Sequence, residues 1–336
     1  MKVAVIGAGA IGSLVAAYLA DKGEDVALAA HPAQCAEISK SGLNIEGTRG
    51  RMSVKVAAKE RLDDEAQLVV LATKTQDLEK ALSENINYLK DSLILTVQNG
   101  IRAEEIIARR LGKDNLFSSI VMFGATNLAP GKVVHNFEGD WILGKADSTE
   151  SETLKQISNI TSQIFPSPIA GDIMAMKWLK LFLNANNCLP AILGKSMQET
   201  FKNLSICKIS MQIWREGWGL VNRARINLSS LPNFPLERIS NLLDLPEDKS
   251  AGIFSNIMTN LSKEPLYGSI LQSIKRNRPS EIDYINGEFL RLAESVGQRA
   301  SLNEKLVQMV HQVEKDKQFF SEEELLKETL SLRTTN

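Results

Sequence analysis

Two stretches of the chain carry residue types and spacings that could do chemistry. The first is Gly7-Ala8-Gly9-Ala10-Ile11-Gly12, a G-x-G-x-x-G run. Gly7 allows a tight turn, Gly9 lets backbone approach a pyrophosphate, and Gly12 lets a helix pack on a strand. With Ala10 and Ile11 opening that helix, its free N–H groups and positive end would hold phosphates. The second stretch is Gly171–Gly194, GDIMAMKWLKLFLNANNCLPAILG. At about 100° per residue, Lys180, Asn184, Asn187 and Ala191 fall on one narrow helical stripe. Trp178, Leu179, Leu181, Phe182, Leu183 and Leu189 take most of the remaining surface, which inverts the pattern of a surface helix. A helix apolar nearly all round is buried, and an unpartnered polar group there costs roughly 2–7 kcal/mol. The stripe is therefore expected to line a polar cleft. Lys180 alone would read as an ordinary solvated lysine; its neighbours change the reading. Pro190 lacks an N–H, so a kink or break is expected there.

The elements that position these residues follow from composition and periodicity. Lys2–Ile6 is a β-branched run, read as a buried strand, and it leads through the glycines into an alanine-rich helix ending near Asp21. Asp25–Ala30 is the second strand. A site for NAD places Asp or Glu at its end, to bond the ribose 2′-OH. Here stand Ala30, His31 and Pro32, with no carboxylate to repel a 2′-phosphate, so NADPH is favoured over NADH. The usual Arg is absent too, and His31 either faces the phosphate or is a plain loop residue. Leu68–Ala72 is a third strand that runs into Lys74, which places Lys74 near the ligand crevice. Leu93–Val97 is a fourth, followed by Gln98-Asn99-Gly100. Asn-Gly is a turn signal by itself, and its place at a strand end makes Asn99 a reader of cofactor or substrate.

Ser118–Gly124 and Val133–Leu143 supply further strands, with Pro130-Gly131 as the turn between them. Strands alternating with helices imply an α/β fold with a Rossmann-like, doubly wound parallel sheet. Pro166 and Pro168 mark the expected boundary, giving a dinucleotide-binding domain over 1–168 and a helical substrate and catalytic domain over 169–336. In Pro279–Gly287 another helix is expected to begin, with Ser280 as cap and Asp283 as the acceptor three residues on. Glu281, taken alone, is a first-turn carboxylate favoured by the helix dipole.

Composition bounds the rest. A length of 336 residues suggests two domains. The net charge of -1, from 39 basic against 40 acidic residues, gives no field that would draw nucleic acid or anionic membrane. Three cysteines without C-x-x-C or metal-type spacing fit a reducing cytoplasm and no metal site. The uncharged run Val3–Ala20 superficially resembles a signal peptide or span, but its patterned glycines and strand-like start argue against both.

On these residues the chain resembles the ketopantoate reductase (2-dehydropantoate 2-reductase) family, from the glycine motif to about residue 312. The carriers are GAGAIGS at 7–13, the Lys74 segment, QNG at 98–100, PGKVVH at 130–135, KWLKLFLNANN at 177–187, Ser269, and EIDYING at 281–287. The resemblance implies NADPH-dependent reduction of ketopantoate to pantoate, in pantothenate and coenzyme A synthesis. It carries the catalytic acid onto Lys180 and the motif's first carboxylate, Glu281, beside it. It places Asn99, Asn184, Asn187 and Ser269 on the substrate. The cofactor would be held by Gly7, Gly9, Ala10, Ile11, Gly12, His31, Lys74 and Asn99. The family often has Arg where His31 stands, and Asn187 follows Asn184 by three residues rather than the commoner four. The partner implied is a small 2-keto acid, and a homodimer is allowed. A reductase of another 2-keto acid and a non-catalytic nicotinamide-binding sensor are the competing readings.

Overall fold

In the first strand, β1 (Lys2–Ile6), Val3 and Val5 are buried in one apolar cluster and Ala4 and Ile6 in another. Side chains of a strand alternate between faces, so an unbroken apolar run marks a sheet covered on both sides. The computed structural model describes residues 1–149 and 151–332. The chain forms two compact units, Met1–Met174 and the remainder from Ala175.

In the first unit β1 is followed by α1 (Ala10–Asp21), β2 (Asp25–Ala29), α2 (Pro32–Ser41), β3 (Leu43–Gly47), β4 (Met52–Val54), β5 (Ala57–Lys59) and β6 (Leu68–Leu71). Next come α3 (Leu78–Asn85), β7 (Leu93–Thr96), α4 (Ala103–Leu111), β8 (Leu116–Val121), β9 (Gly124–Ala129), β10 (Lys132–Phe137), β11 (Trp141–Gly144) and α5 (Glu152–Thr161). Seven strands form one sheet in the order β11-β8-β7-β6-β1-β2-β5. Every pairing in it is parallel except β11 with β8. The strand order reverses at β1, whose neighbours are β2 and β6. The carboxyl end of β1 is thus the switch point, where open α/β sheets bind ligands.

The sequence between 118 and 143 folds differently from its expected reading. The Pro130-Gly131 turn joins β9 to β10, and these two belong with β3 and β4 to a second sheet, ordered β4-β3-β10-β9. The run 133–143 therefore divides between two sheets. At Gly139 a Cβ would lie 2.3 Å from the Met122 carbonyl oxygen, so only glycine lets the chain pass there. The second sheet is fastened to α1 by His135. Its Nε2 lies 3.0 Å from the Phe137 carbonyl, which can only accept, so Nε2 carries the proton. Nδ1 then accepts from the Tyr18 hydroxyl at 2.9 Å and from Thr48 at 3.0 Å. Pro166 and Pro168 lie beside β11, their carbonyls accepting from Trp141 N at 2.7 Å and Leu143 N at 2.9 Å. The compact unit runs on past them to Met174.

The second unit is built of helices. In order they are α6 (Ile173–Ala185), α7 (Cys188–Leu193), α8 (Met197–Thr200), α9 (Leu204–Arg223), α10 (Glu237–Leu243) and α11 (Glu247–Thr259). They continue with α12 (Ser269–Lys275), α13 (Asn286–Ser295), α14 (Ser301–Asp316) and α15 (Glu322–Thr329). The break expected at Pro190 comes earlier, at Asn186-Asn187. Pro190 sits in the first turn of α7, where its missing N–H leaves no intrahelical bond unmade. Ala191 is consequently fully buried in α7 and does not share a helix with Lys180 and Asn184.

Candidate active site

The first unit presents a site made largely of backbone. Gly7 has φ +112°, and a Cβ on it would lie 2.7 Å from Ala72 C and Thr73 N. A Cβ on Gly12 would lie 1.9 Å from the Gly7 carbonyl oxygen, so α1 can sit this close to the loop only without a side chain. Gly9, the N-cap of α1, has no atom within 4 Å of its Cβ position. That open face is what the approach of a pyrophosphate requires. Ala10, Ile11 and Gly12 fill the first turn of α1, where N–H groups have no intrahelical acceptor. The loop is pinned from outside as well. Gln34 of α2 donates to the Ala8 carbonyl at 2.5 Å, and Asn127 of β9 donates to it at 3.4 Å. Neither residue could be singled out from sequence, because each acts through a carbonyl that only the fold brings near.

The other residues expected at a cofactor lie at strand ends. His31 is exposed at the N-cap of α2, with Pro32 as the first helical residue. Lys74 follows β6 as the N-cap of a short 3₁₀ turn, Thr75–Asp77, and is half-buried. Asn99 follows β7 and is half-buried, ahead of Gly100 at φ +81°. Gln98 joins the two loops, its Nε2 donating to Leu71 O at 2.8 Å and Thr73 O at 2.9 Å.

The second unit presents a site made of side chains. Lys180 and Asn184 occupy successive turns of α6, both half-buried amid buried Leu179, Leu181 and Phe182. Burial pushes the Lys180 amine from the ordinary lysine value down to about 7, and the charge of Lys177 on the same helix adds to the shift. Lys177, itself only 3% exposed, carries no sequence signal beyond its spacing of one turn from Lys180. Asn187 caps α7 and packs against Gly268, where a Cβ would lie 3.3 Å from Asn187 Cβ and Cγ. Gly268 is the N-cap of α12, and Ser269 is the exposed first residue of that helix. Asn187 and Ser269 are therefore neighbours through Gly268.

Glu281 is half-buried at the head of a short 3₁₀ turn, Ile282–Tyr284, which precedes α13. The cap expected from Ser280 and Asp283 takes another form. The Ser280 hydroxyl accepts from Ile282 N at 3.3 Å, and Asp283 bonds His311 Nε2 at 2.9 Å. Burial and these carboxylates act on His311 in opposite directions, and the net effect is to raise its pKa, with Glu314 contributing. All three cysteines are free and buried, and the Cys188 thiol is pushed up to about 12 by burial. Among the described residues no group of His, Cys, Asp or Glu is arranged to hold a metal, and no helix is long and apolar enough to cross a membrane.

Comparison with known proteins points one way. The family described as ketopantoate reductase PanE/ApbA matches residues 3–148, and its C-terminal part matches residues 172–314. A 2-dehydropantoate 2-reductase of Pyrococcus abyssi is 29% identical over 306 residues, which span 90% of this chain and 94% of that one. One from Lactococcus lactis is 27% identical, across 97% of this chain and 99% of that one. Among solved structures, a PanE/ApbA family ketopantoate reductase from Ralstonia eutropha superposes with a TM-score of 0.79, at 23% identity, over 94% of this chain and 99% of that one. A D-mandelate dehydrogenase in complex with NADH and anilino(oxo)acetate gives a TM-score of 0.80 at 24% identity, with the same coverage. At these identities the structural matches speak for the fold. With both parts of the family matched along the chain, the protein belongs to the ketopantoate reductase family of oxidoreductases.

Proposed function

We propose that this protein reduces 2-dehydropantoate to pantoate with NADPH, the hydride going to C2 and Lys180 supplying the proton. The glycine cradle at Gly7, Gly9 and Gly12, with the first turn of α1, fits a dinucleotide pyrophosphate. When bound, the reduced nicotinamide supplies the hydride. As C2 is reduced, negative charge develops on the former carbonyl oxygen. A preorganised cation there stabilises the transition state and hands over its proton, leaving the alcohol product and a neutral amine. An amine with a pKa near 7 can do both at neutral pH. Asn184, Asn187, Ser269 and Asn99 would hold the substrate's carboxylate and hydroxyl groups. Glu281 would orient the Lys180 ammonium or accept from a substrate hydroxyl. Lys74 and His31 would face the cofactor, and the lack of a carboxylate after β2 leaves room for a 2′-phosphate. The three buried free thiols suit the cytoplasm.

The observation that carries this reading is Lys180 set among buried Leu179, Leu181 and Phe182, one turn from Asn184, in a chain of this family. The test is oxidation of NADPH and of NADH against ketopantoate and a panel of other 2-keto acids. Turnover confined to ketopantoate with NADPH supports the proposal. A second reading, reduction of a different 2-keto acid with NADH, is favoured by exposed His31 in place of a fixed cation. It predicts the reverse preference in the same panel.

A further inference from the structure

The end of α6 that follows Lys180 and Asn184 is held by side chains of other helices. A helix leaves its last four carbonyls without intrahelical donors; in α6 these belong to residues 182–185. Trp214 Nε1 of α9 donates to Phe182 O at 2.7 Å, and Asn187 N donates to Asn184 O at 3.0 Å. Asn286, the first residue of α13, donates through Nδ2 to Ala185 O at 3.1 Å and lies 3.8 Å from Cys188 Sγ. One carboxamide thus touches the last residue of α6 and the first of α7, spanning the turn at Asn186-Asn187. Asn286 is fully buried and is itself held in place. Its Nδ2 is 2.9 Å from Asn303 Oδ1, and Asn303 Nδ2 donates to Glu216 Oε2 at 2.7 Å. The same carboxylate accepts the backbone N–H groups of Leu302 at 3.0 Å and Asn303 at 2.9 Å, which fixes it to the start of α14.

We propose that Asn286 is a positioning residue for the Lys180 site, setting the α6–α7 turn relative to the Glu281 segment that leads into α13. The inference rests on the reading of Lys180 as the proton donor. The chemistry calls for a carboxamide. Its nitrogen faces two carbonyl oxygens and a thiol, and only a donor with two hydrogens can serve that set. Leucine would fill similar space but leave the Ala185 and Asn303 oxygens buried without this donor. Aspartate would set acceptor against acceptor. The relay starts on α9, where Gly217 beside Glu216 permits close approach to Phe182 and Phe289. A peg tied to so many helices resists the small displacements that a proton donor cannot tolerate.

The experiment compares the full chain with Asn286→Leu, Asn303→Leu and the double variant, well below their melting temperatures. Two readouts are taken: turnover of ketopantoate, and the pH midpoint of Lys180 acylation by a small anhydride, followed by mass spectrometry. Positioning predicts that Asn286→Leu lowers kcat at least about tenfold with the KM for NADPH changed by less than about twofold. The Lys180 midpoint should rise by about one unit or more as water reaches the amine, with Lys177 still repelling it from the same helix. The double variant should be no worse than Asn286→Leu, because both break one relay. Unchanged kcat and an unmoved midpoint in a folded Asn286→Leu overturn the proposal, whatever happens to the melting temperature. If Asn286→Leu does not fold, Asn286→Ser carries the same readouts. If the wild type does not reduce ketopantoate, the functional reading fails, while the acylation midpoint still decides the positioning role.

Discussion

The two units hold their candidate residues with different materials. In the first, the cradle is main chain: three glycines, the first turn of α1, and the Ala8 carbonyl pinned by Gln34 and Asn127. What matters there is the absence of side chains. In the second, the candidate residues are lysine, asparagines, serine and glutamate, carried by α6, the α6–α7 turn, α12 and the segment before α13. What matters there is which side chain stands where, and how dry it is kept. A backbone site binds by shape and dipole and suits the part of a reaction common to many enzymes. A side-chain site carries the part that differs. Substitutions should therefore act differently in the two units.

The largest effect is expected in the second. Lys180→Ala should lower kcat by about 100-fold or more, the cost of losing one charged donor at a developing oxyanion, with the circular dichroism spectrum kept. A folded variant turning over at near wild-type rates would remove Lys180 from the chemistry. Stability should move the opposite way. The folded-state pKa lies below the unfolded value, so above about pH 7 and up to the ordinary lysine value the unfolded chain binds a proton that the folded chain does not. Stability from this group therefore rises with pH through that window, and the burial penalty is fully felt below it. Lys180→Met should accordingly be more stable than wild type at acid and neutral pH, by at most a few kcal/mol. Urea unfolding at two pH values checks the sign.

In the first unit, Gly12→Ala and Gly9→Ala separate packing from binding. An added methyl at residue 12 meets the Gly7 oxygen at 1.9 Å, so Gly12→Ala should lower both the melting temperature and dinucleotide affinity. At residue 9 the backbone is extended with φ -74° and the space is open. Gly9→Ala should leave stability within about 0.5 kcal/mol while weakening dinucleotide binding about tenfold or more through the lost close approach. Equal losses of stability in the two variants would erase the distinction. The smallest effect is expected at His31. It is exposed and caps α2 without a side-chain bond, so His31→Arg should be structurally silent. It should raise the NADPH preference in kcat/KM by roughly tenfold.

How much of this was legible in the sequence follows from the same contrast. The glycine motif and the strands at 2–6, 25–29, 68–71 and 93–96 are local facts. Buried parallel strands read as short apolar runs, and Gly7 and Gly12 answer to nearby backbone clashes while Gly9 keeps an open face. The second sheet was not legible. Its pairing of β3 with β10 joins residues far apart in the chain, and the apolar run over 133–143 gives no sign that it changes sheets at Gly139. The Lys180 stripe was legible as far as helical periodicity holds, to Asn184. Beyond it the helix ends at Ala185, and Trp214, Asn187 and Asn286 take up its terminal carbonyls. Trp214 and Asn286 come from distant segments, and Pro190, the local breaker, is accommodated inside the next helix. The bond from Asp283 to His311 likewise joins segments far apart in the chain.

Proton donation by the Lys180 amine, brought to about 7 by burial, is the step on which the proposed function rests. Its most direct test is the pH dependence of kcat/KM for ketopantoate reduction, in the wild type and in Lys180→Ala. The donor must be protonated, so the wild-type rate should be flat below about pH 7 and fall about tenfold per pH unit above it. The residual rate of Lys180→Ala should lack that limb. A wild-type profile that stays flat from about pH 6 to about pH 9, or a limb that survives in Lys180→Ala, would contradict the account.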